Sequence, residues 1–553
     1  MQSGVRHSSE AAVPAPEWAT HCEPLVLGYH GSLVPDPEFS GSTSSEEDAP
    51  DCVPQFLLES WMEAAQHELT LRLTAEPAAY ALESTEASGW TDLLQKRLAG
   101  ILAQILGDDP DATAERLEEH FPVLPGLIRS AIAEWVDAIA VFHRRLQCDA
   151  SRLAAWLGYS TLPSLASLTP AQSDLHDGAH MVLRLLFRNG RSVYYKPRPV
   201  TGEWLWDHMV RAVNANSSLQ LHSAEALAGS HGQYGWVTSL QRCEHLPTWN
   251  KDSIEASHYW RAAGAMLCLA EHARLTDLHM GNVMATCGGP AVLDAETLAT
   301  PPERFDVSNR WCTHLPIAEV IKDILSTGLL PGAGSASSPD TSGLFGRATA
   351  VPQIRIPCWS THPVRGCQLQ MVPAALVDHG NTPPSTSPLE ALPLLLEGYR
   401  EAAHALMRCR ETLVAPRTAW RWTLESQHAP RIILRNTLSY GILLSRSLQA
   451  TSLRSTPFRM ARLRSALREP GRRAVPKAIL RTETKALQRL LIPRFTALPR
   501  TRTLASNSGH ALAPRYLSCS PEEAVLRKIR ALTPHQLNEV QVPGLLSAIF
   551  QPA

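Results

Sequence analysis

Thr276-Asp277-Leu278-His279-Met280-Gly281-Asn282, followed after the apolar run Val292-Leu293 by Asp294-Ala295-Glu296, is the stretch that decides how this chain is read. Transfer of a phosphoryl group from ATP needs few protein groups but fixes their places: a carboxylate near the attacking hydroxyl, and carboxylate and amide oxygens on magnesium. Asp277 and Asn282 stand five apart, the separation that kinase catalytic loops use for the base and a metal ligand. Asp294 follows a strand-like run, where a second metal ligand belongs. Taken alone, the loop would read as a polar turn, because Asp, Asn and Gly are turn formers. Its neighbours decide the matter.

Upstream, Met181-Val182-Leu183-Arg184-Leu185-Leu186-Phe187 reads as a strand, Asn189-Gly190 as a hairpin turn, and Ser192-Val193-Tyr194-Tyr195-Lys196 as a second strand. Lys196 thus ends a hairpin strand, where a kinase-like enzyme places the lysine that neutralises nucleotide phosphates. Tyr234 to Leu240 is a further β-prone run, in the place of the strand that joins two lobes and lines an adenine pocket. A helical stretch from Ser257 to His272 then leads into the Asp277 loop. Strands, helix and polar loop occur in the order of a two-lobed nucleotide enzyme. Gly178 precedes the first strand, where a loop could cover phosphates or simply turn.

Further out, residues 1–52 are rich in Pro, Ser and acids and read as a loosely ordered arm. Residues 53–170 read as a helical region, with apolar positions such as Leu94, Leu98, Ile101, Leu102 and Ile105, and again Ile132, Trp135, Val136 and Ile139, at three- and four-residue spacing. Residues 171–440 form the core, with one lobe over 171–245 and a second over 246–440, and residues 441–553 return to a helical pattern. Pro331 to Gly343 and Asn381 to Ser387 are long turn-rich connections. The arginines Arg462, Arg464, Arg468, Arg472 and Arg473 read as a solvated face rather than a phosphate-binding one.

The chain has 553 residues, 44% hydrophobic and 19% charged, which allows a large core and excludes wholesale disorder. A net charge of −2 provides no field that would draw the whole molecule onto nucleic acid. The N-terminus has no apolar signal segment, and no run reaches membrane-spanning length, which predicts a cytoplasmic protein without a membrane span. Eleven scattered cysteines without a CxxC pair or zinc-ligand spacing predict buried free thiols in a reducing compartment.

Several of these segments together resemble the dehydratase domain of the class II lanthipeptide synthetases, the LanM enzymes. The elements are Asp174-Leu175-His176, Tyr195-Lys196-Pro197-Arg198, Tyr234-Gly235-Trp236, Thr276-Asp277-Leu278-His279 with Asn282, Asp294-Ala295-Glu296, Thr327-Gly328-Leu329-Leu330-Pro331, and Arg431 through Thr437 with Tyr440, in the family's order. The resemblance implies an α+β fold with a two-lobed, lipid-kinase-like core. It also implies an enzyme that uses ATP and Mg2+ to phosphorylate Ser or Thr of a leader-bearing precursor peptide, then eliminates phosphate to leave dehydroalanine or dehydrobutyrine.

Lys196, Asp277, His279, Asn282 and Asp294 match the family's phosphorylation residues, whereas Asp174, His176, Arg431 and Thr437 match those of elimination. The second set makes chemical sense, because a guanidinium such as Arg431 is matched to phosphate oxygens. His176 would suit general acid or base work by its intrinsic pKa of about 6.5. Which residue takes the α-proton stays open.

Two positions depart from the family's pattern: Gly281 stands where Glu is common, and Arg494 follows Ile492-Pro493 where an aromatic is usual. Full-length relatives also carry a C-terminal zinc cyclase, whose Cys and His ligands have no counterpart here. The expectation is therefore a chain without zinc that forms no thioether rings itself, with a separate cyclase as a further partner. Two other readings remain: a kinase that stops at phosphorylation, and a non-catalytic peptide-binding scaffold.

Overall fold

The structure, a computed structural model, describes residues 22–23, 33–35, 55–74, 84–106, 113–170, 180–243, 253–302, 317–332, 340–347, 349–362, 366–376, 381–435, 437–468 and 475–550. Two short strands, β1 (Cys22–Glu23) and β2 (Leu33–Pro35), belong to the N-terminal arm. Helices α1 (Gln55–Thr74), α2 (Ser84–Leu106), α3 (Ala114–His120) and α4 (Leu124–Trp156) follow. Their periodic apolar positions are buried as the spacing requires: Leu94, Leu98, Ile101 and Leu102 on α2 and Trp135, Val136 and Ile139 on α4 enter one core.

That core continues into a five-stranded antiparallel sheet. Its strands are β3 (Leu165–Pro170), β4 (Leu183–Phe187), β5 (Ser192–Lys196), β6 (Ala226–Ala228) and β7 (Gly235–Thr238), in the order β3-β4-β5-β7-β6. The turn between β4 and β5 uses Gly190 at φ 82°, where a side chain is disfavoured, and Arg191 N–H donates to Asn189 Oδ1 at 3.1 Å. β3 lies within the stretch read from sequence as helical and forms the edge of this sheet instead.

Helix α5 (Thr201–Asn214) leaves β5 and crosses to a second core, burying Leu205, Met209 and Val213 there. The second core is centred on α6 (Ile254–His272), which Ser253 caps by accepting from Ala256 N–H at 3.1 Å. The hairpin β8 (Val283–Thr286) and β9 (Gly289–Val292), α7 (Ile317–Ser326), and further on α8 (Pro388–Arg408) complete its main packing. Between α7 and α8, the long hairpin β10 (Thr349–His362) and β11 (Gly366–Leu376) pairs with β1 on one edge and β2 on the other.

The remaining chain stitches both cores together. Strand β12 (Arg431–Ile432) pairs with β13 (Phe495–Ala497), Arg431 facing Thr496, while the helices over 437–488 return to the first core. Arg464 and Arg468 are exposed, Arg462 is half-buried with Nη1 donating to Ser452 Oγ at 3.4 Å, and Arg472 and Arg473 lie outside the described residues.

The cysteine expectation needs correction. Cys243 and Cys287 form a disulfide across a separation of 44 residues, joining the segment after β7 to the turn of the β8–β9 hairpin. Cys243 N–H donates to the Ala285 carbonyl at 3.0 Å, so backbone pairing holds the two partners together. Among the described residues Cys268 and Cys409 are buried free thiols, whereas the Cys148 thiol is exposed. Scattered spacing could not show this pairing, because folding alone brings Cys243 to the hairpin turn.

Candidate active site

Lys196 ends β5 in the first core, and Asp294 follows β9 in the second, so the candidate residues gather where the two cores meet. The β8–β9 register pairs Val283 with Val292, and one step further Leu293 N–H donates to the Asn282 carbonyl at 2.9 Å. This hairpin therefore holds Asn282 and Asp294 side by side at its open end.

The Asp277 loop is pinned by its backbone. Leu278 N–H donates to the Thr327 carbonyl at 2.8 Å, Met280 N–H to the Thr341 carbonyl at 2.9 Å, and Thr297 Oγ1 to the Thr276 carbonyl at 2.6 Å. Thr327-Gly328 fits the motif because Gly328 sits at φ 80°, which disfavours a side chain, and a Cβ there would fall 3.0 Å from Leu278 N, tighter than an ordinary contact. Asp277 itself adopts φ 63°, a strained conformation for a non-glycine residue. Burial raises its carboxyl pKa, with Glu296 and Asp294 adding to the rise and His279 and Arg431 opposing it. A raised carboxylate pKa suits a proton acceptor.

His279 Nδ1 accepts the Gly281 N–H at 3.0 Å, which orients the ring against its own loop. Asn282 Nδ2 donates to the Asp277 carbonyl at 2.9 Å, which orients the amide and leaves Oδ1 as an acceptor.

Lys196 is buried, and its Nζ donates to Glu203 Oε1 and to the Leu293 carbonyl, both at 2.8 Å, with Asp294 Oδ2 at 3.6 Å. Arg198 bridges the same groups, its Nη2 donating to Glu203 Oε1 at 2.6 Å and to Asp294 Oδ1 at 2.7 Å. Burial would raise the Glu203 pKa, but Arg198 and Lys196 outweigh it and hold the carboxyl well below the usual range. Gly202 permits this approach: a Cβ there would lie 2.2 Å from the Ala295 carbonyl oxygen.

Glu296 closes the array. It accepts from Arg431 Nη1, from Arg494 Nη2 at 2.9 Å, and pairs with Arg198 Nε at 3.2 Å. The backbone repeats the connection, Arg431 N–H donating to the Glu296 carbonyl at 2.8 Å. An unbroken series of ion pairs thus runs from Lys196 through Glu203, Arg198 and Glu296 to Arg431, with Asp294 branching from Arg198.

Asp294 and Asn282 offer hard oxygen donors of the kind magnesium takes alongside substrate phosphates. The donor set fits that ion, since magnesium is ordinarily held by one or two protein oxygens rather than by a full protein cage. Among the described residues no group of three or more His, Cys, Asp or Glu side chains forms a metal cage. Thr437 opens the helix Thr437–Ser447, partly buried, and Arg435 and Tyr440 anchor that helix by bonds to Glu483 at 2.9 and 2.8 Å. Asp174, His176 and Gly178 lie outside the described residues.

The Tyr234 and Trp236 rings are buried against α4 rather than facing the Lys196 site, Trp236 Nε1 donating to the buried Asp149 at 2.8 Å. Sequence reading missed Glu203, although a helix with an acidic residue in its first turn directly after the lysine strand is a usable signal. It also left Arg198 and Glu296 without roles and treated Arg494 only as a departure. No helix among the described residues is long and apolar enough to cross a membrane.

The family model described as a domain of unknown function (DUF4135) matches residues 121–498. Over 437 residues the chain is 21% identical to the lacticin 481/lactococcin biosynthesis protein LcnDR2 of Lactococcus lactis subsp. lactis, covering 76% of this chain and 45% of that relative. This chain therefore spans about half the length of the curated relative it matches. With a family match over more than half of its residues and the motifs in family order, the chain belongs to the DUF4135 family, the family associated with LanM-type lanthipeptide synthetases.

Proposed function

We propose that this chain acts in lanthipeptide biosynthesis as an ATP- and magnesium-dependent dehydratase of Ser and Thr in a precursor peptide, built on a lipid-kinase-like core. The observation that carries the reading is the series of ion pairs joining Lys196 and Asp294 to Arg431. Arg431, assigned to elimination, is joined through these pairs to residues assigned to phosphorylation, which supports a peptide passing from one step to the other without leaving the site.

Magnesium-ATP, when bound, would supply the γ-phosphoryl group: the peptide hydroxyl oxygen bonds to phosphorus as the bond to the β-phosphate oxygen breaks, and ADP leaves. Asp277 takes the proton of the attacking hydroxyl, Lys196 neutralises phosphate charge, and Asn282 with Asp294 would hold magnesium. His279 supports the loop through its bond with Gly281 N–H. In the second step the Cα–H bond breaks and its proton passes to a base. A Cα–Cβ double bond forms, and the Cβ–O bond breaks with its electron pair leaving on phosphate. Arg431 stabilises that departing charge through its planar fork. Asp174, His176 and Thr437 complete the elimination set by the family resemblance.

The test is incubation of the purified chain with ATP, magnesium and a Ser- and Thr-containing precursor peptide, read by mass. Loss of one water for each modified residue, preceded by a transient added phosphate, is the expected result. A stable phosphopeptide would reduce the reading to a kinase, and an unchanged peptide of verified identity would remove it.

A further inference from the structure

Arg494 is the residue that this site contains and the reading above does not use. The residue is 7% exposed, Nη1 donates to Asn507 Oδ1 at 2.7 Å, Nη2 donates to Glu296, and Nε–H has no partner among the described residues. A buried guanidinium with an unspent donor costs free energy unless something else uses it. Arg431 stands beside it because β12 and β13 are paired, and Arg198 completes a ring of three guanidinia on the single carboxylate of Glu296. Burial lowers the Arg494 pKa and its cationic neighbours add to that, while Glu296 opposes them. Arg198 is balanced by Glu203 and Asp294 as well, but Arg431 and Arg494 both direct donors at the Glu296 carboxylate, and two converging guanidinium forks suit a guest with more charge and more oxygens than a carboxylate.

We infer that Arg494 is a second anion-binding guanidinium of the elimination step, and that Glu296 occupies in the resting chain the seat that the phosphate of a phosphorylated Ser or Thr takes between Arg431 and Arg494. The inference rests on the dehydratase reading and names where its phosphate sits. Entry of the phosphate displaces the Glu296 carboxylate from both guanidinia. When the Cβ–O bond breaks, inorganic phosphate leaves from that seat and Glu296 returns.

The test uses the full chain with inorganic phosphate as the probe, measured by titration calorimetry, and a synthetic phosphoserine peptide for the elimination rate. Arg494→Met weakens phosphate binding by about tenfold or more, the scale of a lost charge-assisted bond, and Arg494→Lys restores part of it. Elimination slows by a similar factor while ATP-dependent phosphorylation stays within about twofold. Glu296→Gln tightens phosphate binding, because it removes the competing charge; a merely structural glutamate would not give that sign.

Unchanged phosphate affinity in Arg494→Met, weaker binding in Glu296→Gln, or no phosphate binding by the parent chain would overturn the inference. If the parent chain binds phosphate in this pattern yet leaves peptides unmodified, the dehydratase reading fails and the anion seat stands. If it dehydrates peptides while Arg494→Met eliminates at the parent rate, the reading stands and this inference fails.

Discussion

Lys196 Nζ meets Glu203 Oε1 at 2.8 Å, joining the end of β5 to the first turn of α5 across the seam between the two cores. Both side chains are buried, so neither charge can be exchanged for water. A lysine held this way is positioned before any nucleotide arrives, which is the part such a pair plays in kinase sites.

Glu203→Gln keeps the shape and removes the charge. Phosphate incorporation should fall by about 10²-fold or more, as when a preorganised electrostatic contact is lost. Stability should fall by about 3 kcal/mol, because Lys196 and Arg198 lose a buried partner. Initial rates at saturating ATP and a denaturant titration check the two effects; a fully active variant would remove Glu203 from the site.

Arg431→Ala should separate the two chemical steps. Phosphorylated peptide accumulates, because the leaving phosphate loses a bidentate donor while Lys196, Asn282 and Asp294 keep theirs. Time-resolved mass spectra of the peptide report it, and equal loss of both steps would show that the roles are not divided in this way.

Gly202→Ala tests the packing that brings α5 onto the Asp294 segment. A Cβ at that position meets the Ala295 carbonyl at 2.2 Å, whereas one at Gly126 in α4 meets nothing within 4 Å. Displacement of Asp294 by about 1 Å should cost about 10²-fold in phosphorylation rate. Stability should drop by about 1–3 kcal/mol from overpacking. Gly126→Ala serves as the control, with activity unchanged and stability equal or slightly raised. Equal behaviour of the two variants would contradict the close approach.

Stability should depend steeply on pH below neutrality. Burial lowers the pKa of His143 and His428 to about 4 each, and partial burial together with the Arg145 charge lowers that of the half-buried His180 to about 4. Below about 6.5 the unfolded chain binds protons that the folded chain refuses, so stability falls as pH drops through that window. Each histidine contributes a loss of up to about 3 kcal/mol by pH 4. Asp323 acts in the same direction lower down: burial would raise its pKa, but Lys528 and Arg274 hold it at about 2. Its stabilisation is present above the ordinary carboxylate pKa and is lost as pH falls toward 2. Thermal unfolding midpoints across the range check this, and a flat profile from about pH 6.5 to pH 4.5 would contradict the buried neutral histidines.

Much of the site was legible because its local pieces carry strong signals. Asn189-Gly190 marks the turn that delivers Lys196, and the five-residue spacing of Asp277 and Asn282 survives as one pinned loop. What stayed hidden is long-range pairing. Arg198 finds Asp294 across 96 positions and Arg494 finds Glu296 across 198, and no local periodicity encodes such partners. Short strands were hidden for a different reason: β12 has two residues and β13 three, too few to show alternation, yet their register sets Arg431 opposite Thr496, close after Arg494 in the chain. The Cys243–Cys287 bond likewise exists only once the hairpin turn and the segment after β7 meet.

The proposed function requires Lys196, Asn282 and Asp294 to surround one nucleotide. Titration calorimetry of ATP into the full chain, with and without magnesium, and into Asp294→Asn measures that directly. Magnesium-dependent binding is predicted, weakened about tenfold or more in the variant, the scale of a lost charged contact. Absent binding, or equal affinity in both proteins with and without magnesium, would contradict it.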